Sequence, residues 1–344
     1  MIKAGVALAY WPWLTYEEQL VLAVLADELG LDSLWVSESW GQEAVALLGA
    51  LAARTERIGL GAAIFQIPAR KATTAAMVAA SLDVISAGRI RLGFGPSGPQ
   101  VSEGWYGEPF ARPLARTRAY VDVVRRALDG ERIALPLPEG APATGLAKPL
   151  RLLATPVQER IPIYLGAVAP KGLELCGEIA DGWLGFMLDP DRPEVMLEPL
   201  LRAIEQAGRS REAFDVATIV PVCVDDDSDH ARTQVRPWLA FYLGAMGARE
   251  KNFYVEVAER YGHGASAREV QERWLGGDRE GAANAVPDEL LDSLAFAGPA
   301  DALADWLARY ARAGVDTVIA LPCGDRPATV RALAGALSAV PSAG

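Results

Sequence analysis

The chain has 344 residues, 51% of them hydrophobic, which is enough for one large core; a barrel domain of about 250 to more than 400 residues is as reasonable as two ordinary domains. Its 33 basic and 44 acidic residues leave a net charge of −11, which opposes sequence-independent binding to nucleic acid or anionic lipid, so neither is expected as a partner. Cys176, Cys223 and Cys323 are far apart with no C-x-x-C pair, and the only histidines are His230 and His263, so neither a disulfide framework nor a metal site is expected.

The opening MIKAGVALAY alternates like a strand and lacks the basic and apolar regions of a secretion leader. No stretch approaches about 18 uninterrupted apolar residues, so a cytoplasmic protein is expected. KAGVALA reads as a first strand, followed by a helix with Thr15 as N-cap, Glu18 at capping-box spacing and Gly30 as its stop. LDSLWVSE, RIGLGAAIF and RIRLGFG read as strands two to four, separated by helices over 41–54 and 73–86 and followed by one over 115–128. Residues 130–157 are too irregular for a helix and are expected as an insertion on a barrel rim. IPIYLGA, DGWLGFM and FDVATIVPVCV read as strands five to seven, with PKGLELCGEIA and 194–207 as the intervening helices. Residues 225–294 are expected as a helical insertion whose pieces break at Gly and Pro, before GVDTVIALP as strand eight and ATVRALAGAL as the closing helix.

Short apolar strands alternating with helices imply a parallel sheet, either closed or open. An open dinucleotide-binding sheet should carry G-x-G-x-x-G after its first strand, but ALAYWPWLTYEE has no glycine. The expectation is therefore a single α/β (β/α)8 barrel over residues 1–344, with both insertions. Such barrels build their sites where the strands end. At those ends, Tyr10, Trp11 and Trp13 around Pro12 make either an apolar wall for a flat ring or a hydrophobic plug. Glu38 is either a cofactor or proton-transfer carboxylate or a plain surface or N-cap acid. GFGPSGPQ needs close backbone approach or a sharp bend, and LGAVAPKG leads into a helix whose first amides face an anion well, although Lys171 there opposes the helix dipole.

RIGLGAAIFQIPAR, RIRLGFGPSGPQVSEGWYGEPFARPLARTRAYV and IPIYLGAVAPKGLELCGEIADGWLG together resemble the F420-dependent reductases of the luciferase-like group, similar to methylenetetrahydromethanopterin reductase. Ala119 stands where that pattern has an acid. The resemblance implies a deazaflavin at the barrel mouth, over a strand-three bulge with a non-prolyl cis peptide at Ala63-Ile64. The cofactor site so implied comprises Glu38, Ala62, Ala63, Ile64, Gln66, Ser97 and Gly98 around the ring. Gly166, Ala167 and Val168 would hold the tail phosphate, with Ala180 and Gly182 close by. The histidine and glutamate of sugar-phosphate-oxidising relatives are replaced by Trp40 and the Pro99-Gln100 region, and the strand-one glutamate of the methanopterin reductases is missing from AGVALAY.

The expected activity is hydride transfer between F420 and a small organic substrate, with C=N or C=C reduction favoured. Glu38, Ser97 and Gln100 are the expected polar groups at the reacting centre, in a pocket walled by Tyr10, Trp11, Trp105 and Tyr106. The alternatives are an FMN-dependent monooxygenase and a flavin-binding barrel without turnover. A homodimer through the helices next to strands two and three is the family expectation.

Overall fold

The computed structural model describes residues 2–9, 13–137 and 140–340. Eight parallel strands close on themselves: β1 (Lys3–Leu8), β2 (Ser33–Val36), β3 (Gly59–Ala62), β4 (Ile90–Gly95), β5 (Ile163–Gly166), β6 (Gly182–Phe186), β7 (Asp215–Val224) and β8 (Thr317–Pro322). β8 pairs with β1 through Lys3 and Thr317, completing the ring. The (β/α)8 barrel expected from the alternation is therefore the fold. Inside it Trp35 and Tyr164 meet at a ring distance of 5.1 Å and Leu184 reaches toward Gly93, whereas Phe94 packs outward on Tyr120.

The barrel helices are α1 (Tyr16–Glu28), α2 (Ala44–Ala52), α3 (Ala72–Ile85), α4 (Pro113–Leu128), α5 (Pro170–Ile179), α6 (Glu194–Gln206), α7 (Leu303–Arg312) and α8 (Arg326–Leu337). Local chemistry sets many of their ends. Thr15 and Glu18 form the expected reciprocal capping box, and Gly30 follows α1 at φ +72°. α7 was not expected; Leu303, Trp306, Leu307 and Tyr310 give it one buried face.

Buried acids lock the returns at the lower end of the barrel. Asp27, at the end of α1, accepts the amides of Glu56, Arg57 and Ile58 just before β3. Asp83, at the end of α3, accepts the amides of Val157 and Gln158 on the approach to β5. Between α4 and β5, Arg132–Ile133 and Leu150–Arg151 pair as a small antiparallel ribbon.

The connection from β7 to β8 carries helices Ser228–Ala245, Phe253–Arg260, Gly264–Leu275, Arg279–Asn284 and Asp288–Leu294. The expectation that its first piece breaks at proline is corrected: Ser228–Ala245 is one helix with Pro237 inside it. Burial of Val235, Trp238 and Leu239 around the proline outweighs the hydrogen bond that Pro237 cannot donate.

Candidate active site

The carboxyl ends of the strands open on a mouth floored by backbone. After β3 the Ala63-Ile64 peptide is cis, and the chain rejoins β4 at Phe65 and Gln66. Gly61 pairs with Arg91 but Phe65 pairs with Phe94, so β3 holds one residue more than β4 over this stretch, which is a bulge. Two glycines of β4 make room for it. A Cβ at Gly93 would lie 2.0 Å from the Ala62 carbonyl oxygen, and one at Gly95 would lie 2.1 Å from Ile64 Cδ1. Ala63 and Ile64 are half-buried over this bare strand.

Glu38, just past β2, is buried behind the bulge. Its carboxylate accepts the Gln66 amide (2.9 Å), the Ala44 amide (3.4 Å) and Arg70 Nη1 and Nη2 (2.9 and 2.5 Å). Gln66 Nε2 donates to the Glu38 carbonyl (3.3 Å), whereas Gln66 Oε1 is buried with no partner among the described residues. Burial, the largest influence on Arg70, favours its neutral form, but the hydrogen bonds and charge of Glu38 hold the guanidinium above its usual range. Tyr106 lies in the same corner; its phenol is pushed up by burial first and then by the Glu38 carboxylate.

After β4, Ser97 sits half-buried at φ +62°, followed by Gly98 and a short helix, Pro99–Gly104, where the sequence suggested only a loop. Gln100 is exposed and Trp105 is 64% exposed. Tyr10 and Trp11 lie outside the described residues.

Gly166, Ala167 and Val168 are half-buried at the end of β5, and α5 begins beyond them at Pro170 without a side-chain cap. The carbonyls of this loop are tied, Ala167 to Trp183 Nε1 (2.8 Å) and Val168 to Arg260 Nη2 (2.6 Å). Arg260, missed in the sequence because it comes from the β7–β8 connection, also donates to the Val195 carbonyl. Ala180 and Gly182 are a correction. Gly166 pairs with Leu184, while Gly182 pairs with Tyr164 and Asp215 at the amino end of β6, so both residues are buried well below the loop.

An aromatic wall faces the mouth from the same connection. Trp238 and Phe241 pack on Trp13 at ring distances of 5.0 and 4.8 Å, and Tyr242 and Tyr254 pack on Phe186 at the end of β6 at 4.0 and 5.9 Å. The spacing of Trp238, Phe241 and Tyr242 on one helix face was the available signal. At the opposite end of the barrel a cleft of about 570 Å³ is lined by Asp32, Arg57, Arg89 and Arg91. Its charges are used internally: Arg91 pairs with Asp32 (2.7 Å) and Arg89 binds the carbonyls of Ala52, Thr55 and Ile58. Among the described residues there is no group of three or more acidic, histidine or cysteine side chains that could hold a metal, and no helix long and apolar enough to cross a membrane.

The chain is a closed parallel barrel with a bulged third strand, and residues 4–317 match the family described as luciferase-like monooxygenase. The chain belongs to that family. It is 38% identical over 328 residues, 92% of this chain and 94% of the relative, to a Mycobacterium tuberculosis protein whose name places it among the coenzyme F420-dependent oxidoreductases. It is 29% identical over 319 residues, 91% of this chain and 92% of the relative, to 5,10-methylenetetrahydromethanopterin reductase of Archaeoglobus fulgidus. In fold it superposes on the F420-dependent tetrahydromethanopterin reductase of Methanopyrus kandleri with a TM-score of 0.84 at 24% identity, covering 99% of both chains. An F420-dependent secondary alcohol dehydrogenase superposes with a TM-score of 0.79 at 19% identity, also over 99% of both.

Proposed function

We propose that this enzyme is an F420-dependent oxidoreductase that transfers a hydride between the deazaflavin coenzyme F420 and a small organic substrate, with reduction of an electron-poor C=N or C=C bond favoured. The observation that carries the proposal is the glycine-backed bulge beside the fifth loop, with Arg260 held against that loop. The residues fit such a group: bare backbone for a planar ring, a Gln66 Oε1 without a partner among the described residues, and Arg260, held by the Val168 and Val195 carbonyls. Bound there, a deazaflavin supplies a two-electron hydride carbon. The protein's part is to hold the ring against the acceptor, exclude water and stabilise developing charge. The bulge backs the ring, and Ala62, Ala63, Ile64, Ser97 and Gly98 surround it. Ser97 and Gln100 are the hydrogen-bonding groups proposed for the reacting centre. The wall of Trp13, Phe186, Trp238, Tyr242 and Tyr254 favours an apolar, planar acceptor over a phosphorylated one.

Titration of the purified protein with F420 and with FMN tests the assignment. F420 affinity of micromolar or better with weak FMN binding is expected. The reverse pattern supports an FMN monooxygenase, the reading that the family's description favours. Binding of either without oxidation of the reduced form by a panel of imines and enoyl compounds supports a barrel without turnover. Arg260→Met is expected to weaken F420 binding by about ten-fold, and by less at high salt, because an ionic contact to the tail is lost.

We also propose that the protein works as a homodimer through α2 and α3. Neither helix carries a charged side chain on its outer face; the one ionisable residue, Asp83, is fully buried, while Met77, Val84 and Ile85 are more than half exposed. In a chain of net charge −11, such a face is where two copies can meet without like-charge repulsion.

A further inference from the structure

We infer that Arg70 and Glu38 form a positioning clamp for the strand-three bulge, and that Glu38 exchanges no proton with bound molecules. The inference rests on the reading of the mouth as a ring site. A carboxylate has about four lone-pair sites. In Glu38 all four meet donors: two from Arg70 and one each from the amides of Gln66 and Ala44. The side chains of the pair are only 10% and 3% exposed, so water does not compete for these bonds.

The connectivity gives the clamp its effect. Gln66 is the third residue after the cis bond and Arg70 lies four further on, so Glu38 grips the chain leaving the bulge at two points. Arg70 adds a third grip by lying over the Phe65 ring at 4.7 Å, and Phe65 is the residue that re-enters pairing with β4. Arg70 Nη2, which bonds Glu38 Oε1, also donates to Glu43 (3.1 Å), the N-cap of α2, and so ties the same guanidinium to the next helix. Loss of Arg70 strands the buried Glu38 charge, and loss of Glu38 leaves Arg70 only the exposed Glu43, so either remaining group is drawn toward water or into the mouth. Either movement releases the Gln66 amide and with it the path of Ala63 and Ile64. The clamp thus sets the surface on which a ring rests while touching neither ring nor acceptor.

The test uses the wild type, Glu38→Gln, Arg70→Lys, Arg70→Met and the Glu38→Gln/Arg70→Met double variant. Hydrogen–deuterium exchange is followed on the cofactor-free chain over residues 60–70, and affinity for F420 and FMN is measured by fluorescence titration. In both Glu38→Gln and Arg70→Met, exchange at the Gln66 amide is expected to rise about ten-fold, and affinity for the coenzyme that binds to fall about ten-fold. The double variant should be no weaker than the worse single one, and Arg70→Lys should fall between. Glu38→Gln and Arg70→Lys preserve shape if Arg70→Met does not fold. Exchange and affinity within about two-fold of wild type in Glu38→Gln overturn the clamp. So does a Glu38→Gln variant that binds normally but loses an ionisation from the pH profile of turnover. If the wild type binds no F420, the proposed function falls, whereas exchange in the free chain still decides the clamp.

Discussion

Adding one methyl group at Gly93 would place a carbon 2.0 Å from the Ala62 carbonyl oxygen, and backbone cannot yield as a flexible side chain can. Gly93→Ala is therefore expected to cost about 3 kcal/mol in denaturant unfolding, because overpacking pushes directly on the bulge. Gly95→Ala meets only the end of the Ile64 side chain. Its stability loss should be smaller, about 1 kcal/mol, while displacement of Ile64 lowers coenzyme affinity. A Gly95→Ala protein that binds F420 as the wild type does would place the ring elsewhere. At this scale the sequence showed which residue types gather at the strand ends, but not who pairs with whom. Glu38 left two readings open because its partner, Arg70, is 32 positions away and nothing local marks it. Arg260 was invisible as a site residue for the same reason, since only the closed barrel brings it against Val168.

Elements with local causes were legible: the α1 capping box, the stop at Gly30, and strands that stay apolar because both faces are covered. Pro237 was misleading, since a proline penalty is local and the packing that outweighs it is not. The joints between elements carry a pH prediction. Burial opposes ionisation of Asp27, yet the amides of Glu56, Ile58 and Arg57 together hold its carboxyl below the usual range. Asp181 behaves likewise: burial opposes, while Arg125, the Ile163 amide and Arg160 prevail. A lowered folded-state value means that each contribution is complete above the unfolded carboxylate pKa, about 3.9, and disappears as pH falls below it. Asp27→Ala should cost about 2 kcal/mol at pH 7 by leaving three amides unpaired, and should flatten the acid limb of a stability–pH curve below about pH 4. An unchanged acid limb would mean that Asp27 is equally stabilised in the unfolded chain.

For the molecule as a whole, the uncharged faces of α2 and α3 make self-association measurable. Light scattering is expected to give twice the monomer mass for the wild type, and a Met77→Glu/Ile85→Glu variant should halve it with little change in melting temperature, since both side chains already meet water in the single chain. A wild type that stays monomeric at high micromolar concentration would remove the dimer. The long excursion between β7 and β8 has a further consequence. It furnishes both the guanidinium beside the fifth loop and most of the rings packed at the entrance, whereas the scaffold beneath supplies the bulged backbone together with Trp13 and Phe186. Grafting that one stretch from a relative would therefore retune acceptor preference and coenzyme grip in a single exchange, and the eight-stranded cylinder would need no compensating change.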